Sequence, residues 1–278
     1  MIYISTGFFK NLNFNQVLNL YKKNRINNIE FSGGKYQENL LNSLKKEKKI
    51  NALFHNYFPV PKKPIIINLS SNNKFVIDSS IKLIKKAIDY SSAIKSQFYS
   101  IHAGYLIEMN FDDFGKVKTK KKIINRDTGM ANFIKNISSI ARYAKKKKVE
   151  ILIENNVIGN SNFKKFNLNP FLMTNLEDTR LIMENTPKNV NLLLDLGHLK
   201  VSSNILKFDK FEMLEECKKW TKAYHLSENN GFEDQNLKIK KNSWFLKRMK
   251  KVKFYSLEVY SDNFNIIHQQ INLLKKFI

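Results

Sequence analysis

Eight short apolar or β-branched segments punctuate this chain, with helically patterned stretches between them. The segments are IYISTGF (2–8), NNIEFSGG (27–34), INALFHNYF (50–58), QFYSIHAG (97–104), VEILIEN (149–155), NVNLLLDLGH (189–198), AYHLSEN (223–229) and KFYSLEVY (253–260). Several are apolar at consecutive positions, as in strands covered on both faces of a parallel sheet. Between them, Ile77, Ile81, Ile84 and Ile88 make one apolar helical stripe, and Ile134, Ile137, Ala141 and Ala144 make another. Asn13 and Asn175 stand where N-caps belong, and Pro187 marks the end of the helix that Asn175 opens.

Eight strand–helix units within 278 residues predict an α/β fold, a single (β/α)8 TIM barrel forming one domain over residues 1–278. An open doubly wound sheet is the competing architecture, but no G-x-G-x-x-G follows the first strand. Loop lengths favour the barrel. Helix-to-strand connections are short, whereas the strand-to-helix connections at 56–73, 105–128 and 155–174 are long. In a barrel, long loops of that kind crown the C-terminal face, where active sites lie.

The formal charge of +24 raises the possibility of a nucleic-acid partner. It comes from 43 lysines and only 5 arginines, alongside abundant asparagine and isoleucine, a composition expected of an AT-rich genome. Arginine, the residue that reads phosphates and bases bidentately, is the scarce one. The lysine runs at 145–148 and 118–122 read as solvated surface at a helix end and in a loop. No run approaches 18 apolar residues, and the opening MIYISTGFFKNLNF lacks the apolar region of a signal peptide. A soluble, unexported protein of the cytoplasm, without a membrane partner, is the expectation. Cys217 is the only cysteine, which excludes an intrachain disulfide and a cysteine-based zinc site.

The polar residues of the eight segments concentrate at their C-terminal ends. His55, His102, His198 and His225 lie at or just beyond a strand end, and only His268 lies elsewhere, in the last helix as a surface or packing residue. Glu30, Glu154, Asp195 and Glu258 close apolar runs in the same way. One such residue is ordinarily a hydrogen-bonded structural group or a helix cap. In a closed barrel, however, successive strand ends share one rim, so these groups converge on one axis. Clustered buried acids repel one another unless protons or a cation compensate. A divalent metal is the economical solution; mixed histidine and carboxylate ligands suit zinc, manganese, iron or cobalt, and oxygen-only ligands suit magnesium.

From IYISTG to SLEVY the chain resembles the xylose isomerase-like barrel superfamily of sugar isomerases, sugar epimerases and endonuclease IV. IEFSGG is similar to its second strand, and FHNYF and SIHAGY to its third- and fourth-strand histidine motifs. LIEN, LLLDLGH, YHLSENNG and SLEV resemble the segments that carry its shared metal. The resemblance implies Glu154, Asp195, His225 and Glu258 as metal ligands, with His198 touching substrate or a further metal.

Two chemistries follow from that resemblance. In the isomerase and epimerase branch a metal stabilises the enediolate formed when a proton leaves beside a carbonyl. Glu154 and Glu258 would remove and return that proton while His198 orients a hydroxyl. Tyr57, Phe58 and Tyr105 are candidate pocket walls. The endonuclease IV branch uses three zinc ions on a phosphodiester at an abasic site. His55 and His102 match its third- and fourth-strand ligands, and PIIINLSSNN (64–73) resembles its next segment. Its third zinc needs an Asp-x-His pair; here Asp234 is present but Asn236 replaces the histidine, a poor zinc ligand.

The isomerase branch has gaps too: no arginine follows His225 in HLSENNGFEDQN, and KIKKNSW replaces a glycine-rich stretch. An unusual sugar, nucleotide-linked or acidic and drawn in by basic loops such as PKKP (61–64), is one way to meet these differences. The reading favoured is a sugar or sugar-phosphate isomerase or epimerase, with the abasic-DNA phosphodiesterase as alternative. An accessory binding protein is disfavoured, because idle clustered acids are costly. A homo-oligomer paired through barrel faces is compatible with the resemblance.

Overall fold

A computed structural model describes residues 1–108 and 122–278. Eight parallel strands follow the chain in order: β1 (Ile2–Ser5), β2 (Asn28–Phe31), β3 (Asn51–His55), β4 (Phe98–His102), β5 (Glu150–Glu154), β6 (Val190–Asp195), β7 (Thr221–Leu226) and β8 (Phe254–Leu257). They pair in sequence and β1 closes onto β8, which makes a (β/α)8 barrel. Seven of the eight expected segments contain their strand; β7 starts at Thr221, two residues before the expected segment 223–229.

Helices α1 (Phe14–Lys23), α2 (Leu40–Lys46), α3 (Lys74–Ala93) and α4 (Arg126–Lys146) follow the first four strands. Helices α5 (Asn160–Phe166) and α6 (Leu176–Glu184) follow β5, α7 (Leu196–Leu206) and α8 (Lys210–Cys217) follow β6, and α9 (Phe264–Leu274) follows β8. Between β7 and β8 the chain makes turns rather than a helix, so the seventh unit is irregular. Asn13 caps α1 in a reciprocal capping box with Gln16, and Asn175 caps α6 through the backbone N–H of Asp178.

The α3 stripe differs from the isoleucine pattern. Ile84 and Ile88 are fully buried, but Ile77 and Ile81 are only half-buried, and Val76 and Ser80 face inward instead. Ser80 tolerates burial because its hydroxyl donates to the carbonyls of Ile66 and Val76 and accepts the Asn68 N–H. Lys145, Lys146, Lys147 and Lys148 end α4 on the surface, as expected. Of the expected 105–128 loop, residues 109–121 lie outside the described residues, as does most of the 118–122 lysine run. Among the described residues no helix is long and apolar enough to cross a membrane.

Two apolar clusters divide the interior. The larger joins the helices to the outer faces of the strands. The smaller takes Tyr3, Leu53, Phe98, Leu152, Leu193, Ala223 and Phe254, one residue each from β1 and β3–β8. Such a set can meet only in the barrel lumen, so these side chains form its floor. Strand side chains alternate, so the next inward position lies two residues on. Those positions are Ser5, His55, Ser100, Glu154, Asp195, His225 and Ser256. The apolar floor thus forces the next layer to be the polar one.

Candidate metal centre

Strand register then brings the polar layer together. His102 pairs with Glu154 across β4 and β5, and Asp195 pairs with His225 across β6 and β7. His225 Nδ1 lies 2.9 Å from Glu154 Oε1, 3.5 Å from Glu258 Oε2 and 3.8 Å from Asp195 Oδ2. One ligand atom from each of Glu154, Asp195, His225 and Glu258 falls within 4.8 Å of the others. Atoms about 2.0–2.2 Å from a single zinc ion span nearly that distance.

Asp195 does two things at once. Its Oδ1 accepts the His198 N–H at 2.7 Å and so caps α7, which starts at the next residue. Its Oδ2 is buried with no hydrogen-bond donor. One carboxylate oxygen therefore caps a helix while the other is left free among the candidate ligand atoms, a combination that an aspartate at the end of a leucine run allows. Asn155 braces it from β5: the Asn155 Oδ1 accepts the Asp195 N–H at 2.7 Å, and Nδ2 donates to the Asp195 carbonyl at 3.1 Å.

Glu154 is fully buried, and its Oε2 also lacks a hydrogen-bond donor. His55 Nε2 and His102 Nδ1 each stand 3.2 Å from that oxygen, out of line for a hydrogen bond. These three residues form a second group whose ligand atoms lie within 4.8 Å. His198 lies between the groups. Its Nδ1 donates to the Asn155 carbonyl at 2.8 Å, and its Nε2 faces Asp234 Oδ2 at 3.4 Å. Asn236 is buried, with its Oδ1 unpartnered. His268 stays apart, its Nε2 on the Asn24 carbonyl.

The electrostatics follow from burial and crowding. Burial pushes the Glu258 carboxyl up to about 8; His225 opposes this, and Glu154, Asp195 and Glu30 reinforce it. Burial likewise raises Asp195 to about 6. For Glu154 burial also pushes upward, but His102, His225 and His55 outweigh it and hold the carboxyl well below its usual range. Burial drives His55 down to about 3, against the pull of Glu154. His225 is held well above its ordinary value despite burial, because Glu30, Glu258 and Glu154 surround it. Without a cation, then, the crowding favours protons on Glu258, His198 and His225 and raises Asp195 only to about 6. Orphaned oxygens on Glu154 and Asp195, beside an imidazole and a third carboxylate, fit a divalent metal.

Several contributors were not singled out from the sequence. Ser5 donates to Glu258 Oε1 at 2.8 Å, Ser256 donates to Glu30, and Ser100 meets His55 Nδ1 at 3.0 Å. The two-residue alternation above the floor was the signal that marks them. Tyr57 and Tyr105 line the cleft, as expected. Phe58 does not: it is buried against Phe31 and Phe54, with ring centroids 5.0 and 4.9 Å away.

Fold and site together define a (β/α)8 barrel with a carboxylate–histidine centre at its C-terminal mouth. Within that class the chain belongs to the xylose isomerase-like TIM barrel family, whose model matches residues 9–277. No curated protein matches it significantly by sequence. Among solved structures it is similar to a D-tagatose 3-epimerase-like protein, with 18% identity and a TM-score of 0.73 over 99% of this chain and 96% of that one. It is also similar to the IOLI protein with a bound zinc atom, at 14% identity and a TM-score of 0.69 over 100% and 99% of the two chains. A third is 3-keto-D-glucoside 4-epimerase of E. coli, at 12% identity and a TM-score of 0.65 over 99% and 98%. At such identities the likeness is one of fold.

Proposed function

We propose that this chain is a divalent-metal-dependent sugar isomerase or epimerase. The observation that carries the reading is the buried set Glu154, Asp195, His225 and Glu258, with its four ligand atoms within 4.8 Å of one another. These residues would hold the metal, whose chemistry when bound is to stabilise negative charge developing beside a sugar carbonyl. The neighbours named as epimerases, and the one with bound zinc, support the choice of reaction class.

The chain's own groups supply the rest. Glu154 ends β5 and Glu258 stands just beyond β8, three strands on around the barrel, and these are the two carboxylates that would act on a sugar carbon. One removes a proton from that carbon and the other returns one, which moves or inverts the stereocentre. Ser5 fixes the Glu258 carboxylate through its 2.8 Å hydrogen bond. His198, pinned by the Asn155 carbonyl, presents its Nε2 to a substrate hydroxyl. The substrate is then a small sugar, in keeping with a cytoplasmic enzyme.

One observation favours a second reading, a zinc phosphodiesterase acting on abasic DNA: His55, His102 and Glu154 form their own candidate group. Asn236 weakens it, because a carboxamide stands beside Asp234 where a third zinc would need imidazole. Elemental analysis of tag-free protein separates the two. One metal per chain, unchanged in His55→Ala/His102→Ala, supports the isomerase and leads to ketose screening. Two or three zinc ions that fall in that variant support the phosphodiesterase. No metal under any loading condition rejects both.

A further inference from the structure

Two cavities open at the mouth of the barrel among the described residues. The first, of about 440 Å³, contains Glu258 and His55 and is walled by Thr6, Ser32, Asn236 and Tyr260. Lys10 also lines it. The second, of about 330 Å³, is walled by Ile67, Leu69, Tyr105, Val157 and Phe171. Tyr57, His102, His198 and Asp234 line both, so the two are lobes of one cleft. The rings of His102 and His198 stack at 5.9 Å where the lobes meet.

The lobes differ in what they offer a ligand. In the second, the polar side chains are largely committed to the backbone. Asn68 Nδ2 donates to the Tyr105 carbonyl, while its Oδ1 accepts the N–H groups of Ser70 and Tyr105. Asn156 Nδ2 is held by the carbonyls of Ala103, Gly104 and Leu172. Away from His102, His198 and Asp234 at the junction of the lobes, and apart from Asn56 and Asn162, what faces the cleft is aliphatic surface and the half-buried rings of Tyr57, Tyr105 and Phe171. Among the described residues lining this lobe there is no lysine or arginine. Such a wall recognises a flat, uncharged group by burial and stacking.

The reacting lobe is fixed by Glu258, which lines only the first. We propose that the substrate is a sugar bearing a flat, uncharged, largely apolar substituent, with the sugar in the polar lobe and the substituent between Tyr57, Tyr105 and Phe171. This rests on the sugar-isomerase reading and narrows its substrate class to keto sugars that carry such a substituent, as a keto-glycoside does, rather than unsubstituted sugars; simple glycosides probe binding alone.

The test is calorimetric binding to the full chain, with and without added zinc. The probes are methyl and 4-nitrophenyl β-D-glucosides, the corresponding galactosides, and glucose 1-phosphate. In at least one series the nitrophenyl glycoside binds about tenfold or more tighter than its methyl partner, as burial of one ring gives. Phe171→Ala abolishes that advantage and leaves methyl glycoside binding unchanged. Phe171→Leu, which keeps the apolar volume, retains part of it. Equal affinities within every pair, tighter binding of glucose 1-phosphate, an advantage that persists in Phe171→Ala, or binding of no probe each overturn the inference. Deuterium exchange from solvent into free ketoses is read separately. Exchange without an aryl preference removes this inference and leaves the isomerase reading. Aryl preference without exchange into any sugar does the reverse.

Discussion

Glu30 Oε2 stands 2.9 Å from His225 Nε2, on the side of the imidazole away from Glu154, whose Oε1 lies 2.9 Å from Nδ1. Glu30 is 1% exposed and also accepts the Ser256 hydroxyl. A carboxylate behind a ligating histidine fixes the ring and raises its basicity, and losing such a partner weakens metal binding about ten- to a hundredfold. Glu30→Gln is therefore expected to lower metal affinity by that factor while leaving stoichiometry unchanged, read by titration calorimetry. A lower stoichiometry would make Glu30 a ligand itself, through its group with His55 and His225.

Metal binding and pH are linked through the same cluster. The carboxyls of Glu258 and Asp195 are pushed up to about 8 and about 6. Folded, metal-free protein thus keeps protons that the unfolded chain has already released. Their contribution to stability is complete below the ordinary carboxylate range and is lost as pH rises through about 6 and then about 8. His225, held well above its ordinary value, acts with the same sign. A metal needs all three deprotonated, so its uptake releases protons. Affinity is expected to rise about tenfold per pH unit for each proton released. Melting temperatures with zinc and with chelator, compared between about pH 5.5 and about pH 8.5, should therefore diverge as pH rises. A constant gap would mean that the ligands are already deprotonated.

The barrel was legible because strands buried on both faces read as continuous apolar runs, and because each run ended in a polar residue. Singly, Glu154, Asp195, His225 and Glu258 each have a bland reading; they stood out as a set because strand ends share one rim, and the resemblance to the family implied these four as ligands. Ser5, Ser100, Ser256 and Asn155 did not, because serine and asparagine at a strand end are ordinary. Their significance lies in register, which pairs His55 with Ser100 and Tyr3 with Ser256. Phe58, a candidate for the pocket wall or for packing, was undecided because an aromatic after a strand fits either side. It packs into a phenylalanine cluster with Phe31 and Phe54. The α3 stripe shifted because buried Ser80 has its hydroxyl satisfied by backbone, which no hydrophobic pattern records.

Asn155 should matter more than its neutral side chain suggests. It is 1% exposed and pairs with both the N–H and the carbonyl of Asp195. Asn155→Ala leaves the buried Asp195 N–H unpaired, at about 1–3 kcal/mol, and removes one bond from the Asp195 carbonyl, which as the N-cap carbonyl still accepts the first hydrogen bond of α7. The expected outcome is a loss of stability in that range, with weaker metal binding as Asp195 loses its brace. Urea unfolding of the metal-free protein measures the first effect alone. An unchanged midpoint would show that β6 is held by its ladder without Asn155.

Gly104 sets how closely the loop after β3 can approach the end of β4. A Cβ there would lie 1.8 Å from Ser70 Oγ, 2.8 Å from Ser70 Cβ and 3.0 Å from Phe133 Cδ2. Rotating the Ser70 hydroxyl relieves only the first contact; the others require the loop or α4 to move, and Ser70 and Phe133 are both fully buried. Overpacking of this kind costs about 1–3 kcal/mol. The Gly104 carbonyl accepts the Asn156 side chain and the Leu172 N–H, so the displacement reaches the apolar lobe. Gly33 also lines the mouth, but a Cβ there meets nothing within 4 Å. Gly33→Ala should be neutral or stabilising by up to about 1 kcal/mol through the unfolded chain. Gly104→Ala should destabilise by about 1–3 kcal/mol in urea unfolding, and Gly104→Ala/Ser70→Gly should recover much of that loss. Equal losses in the two single variants would place the cost in backbone freedom rather than in space.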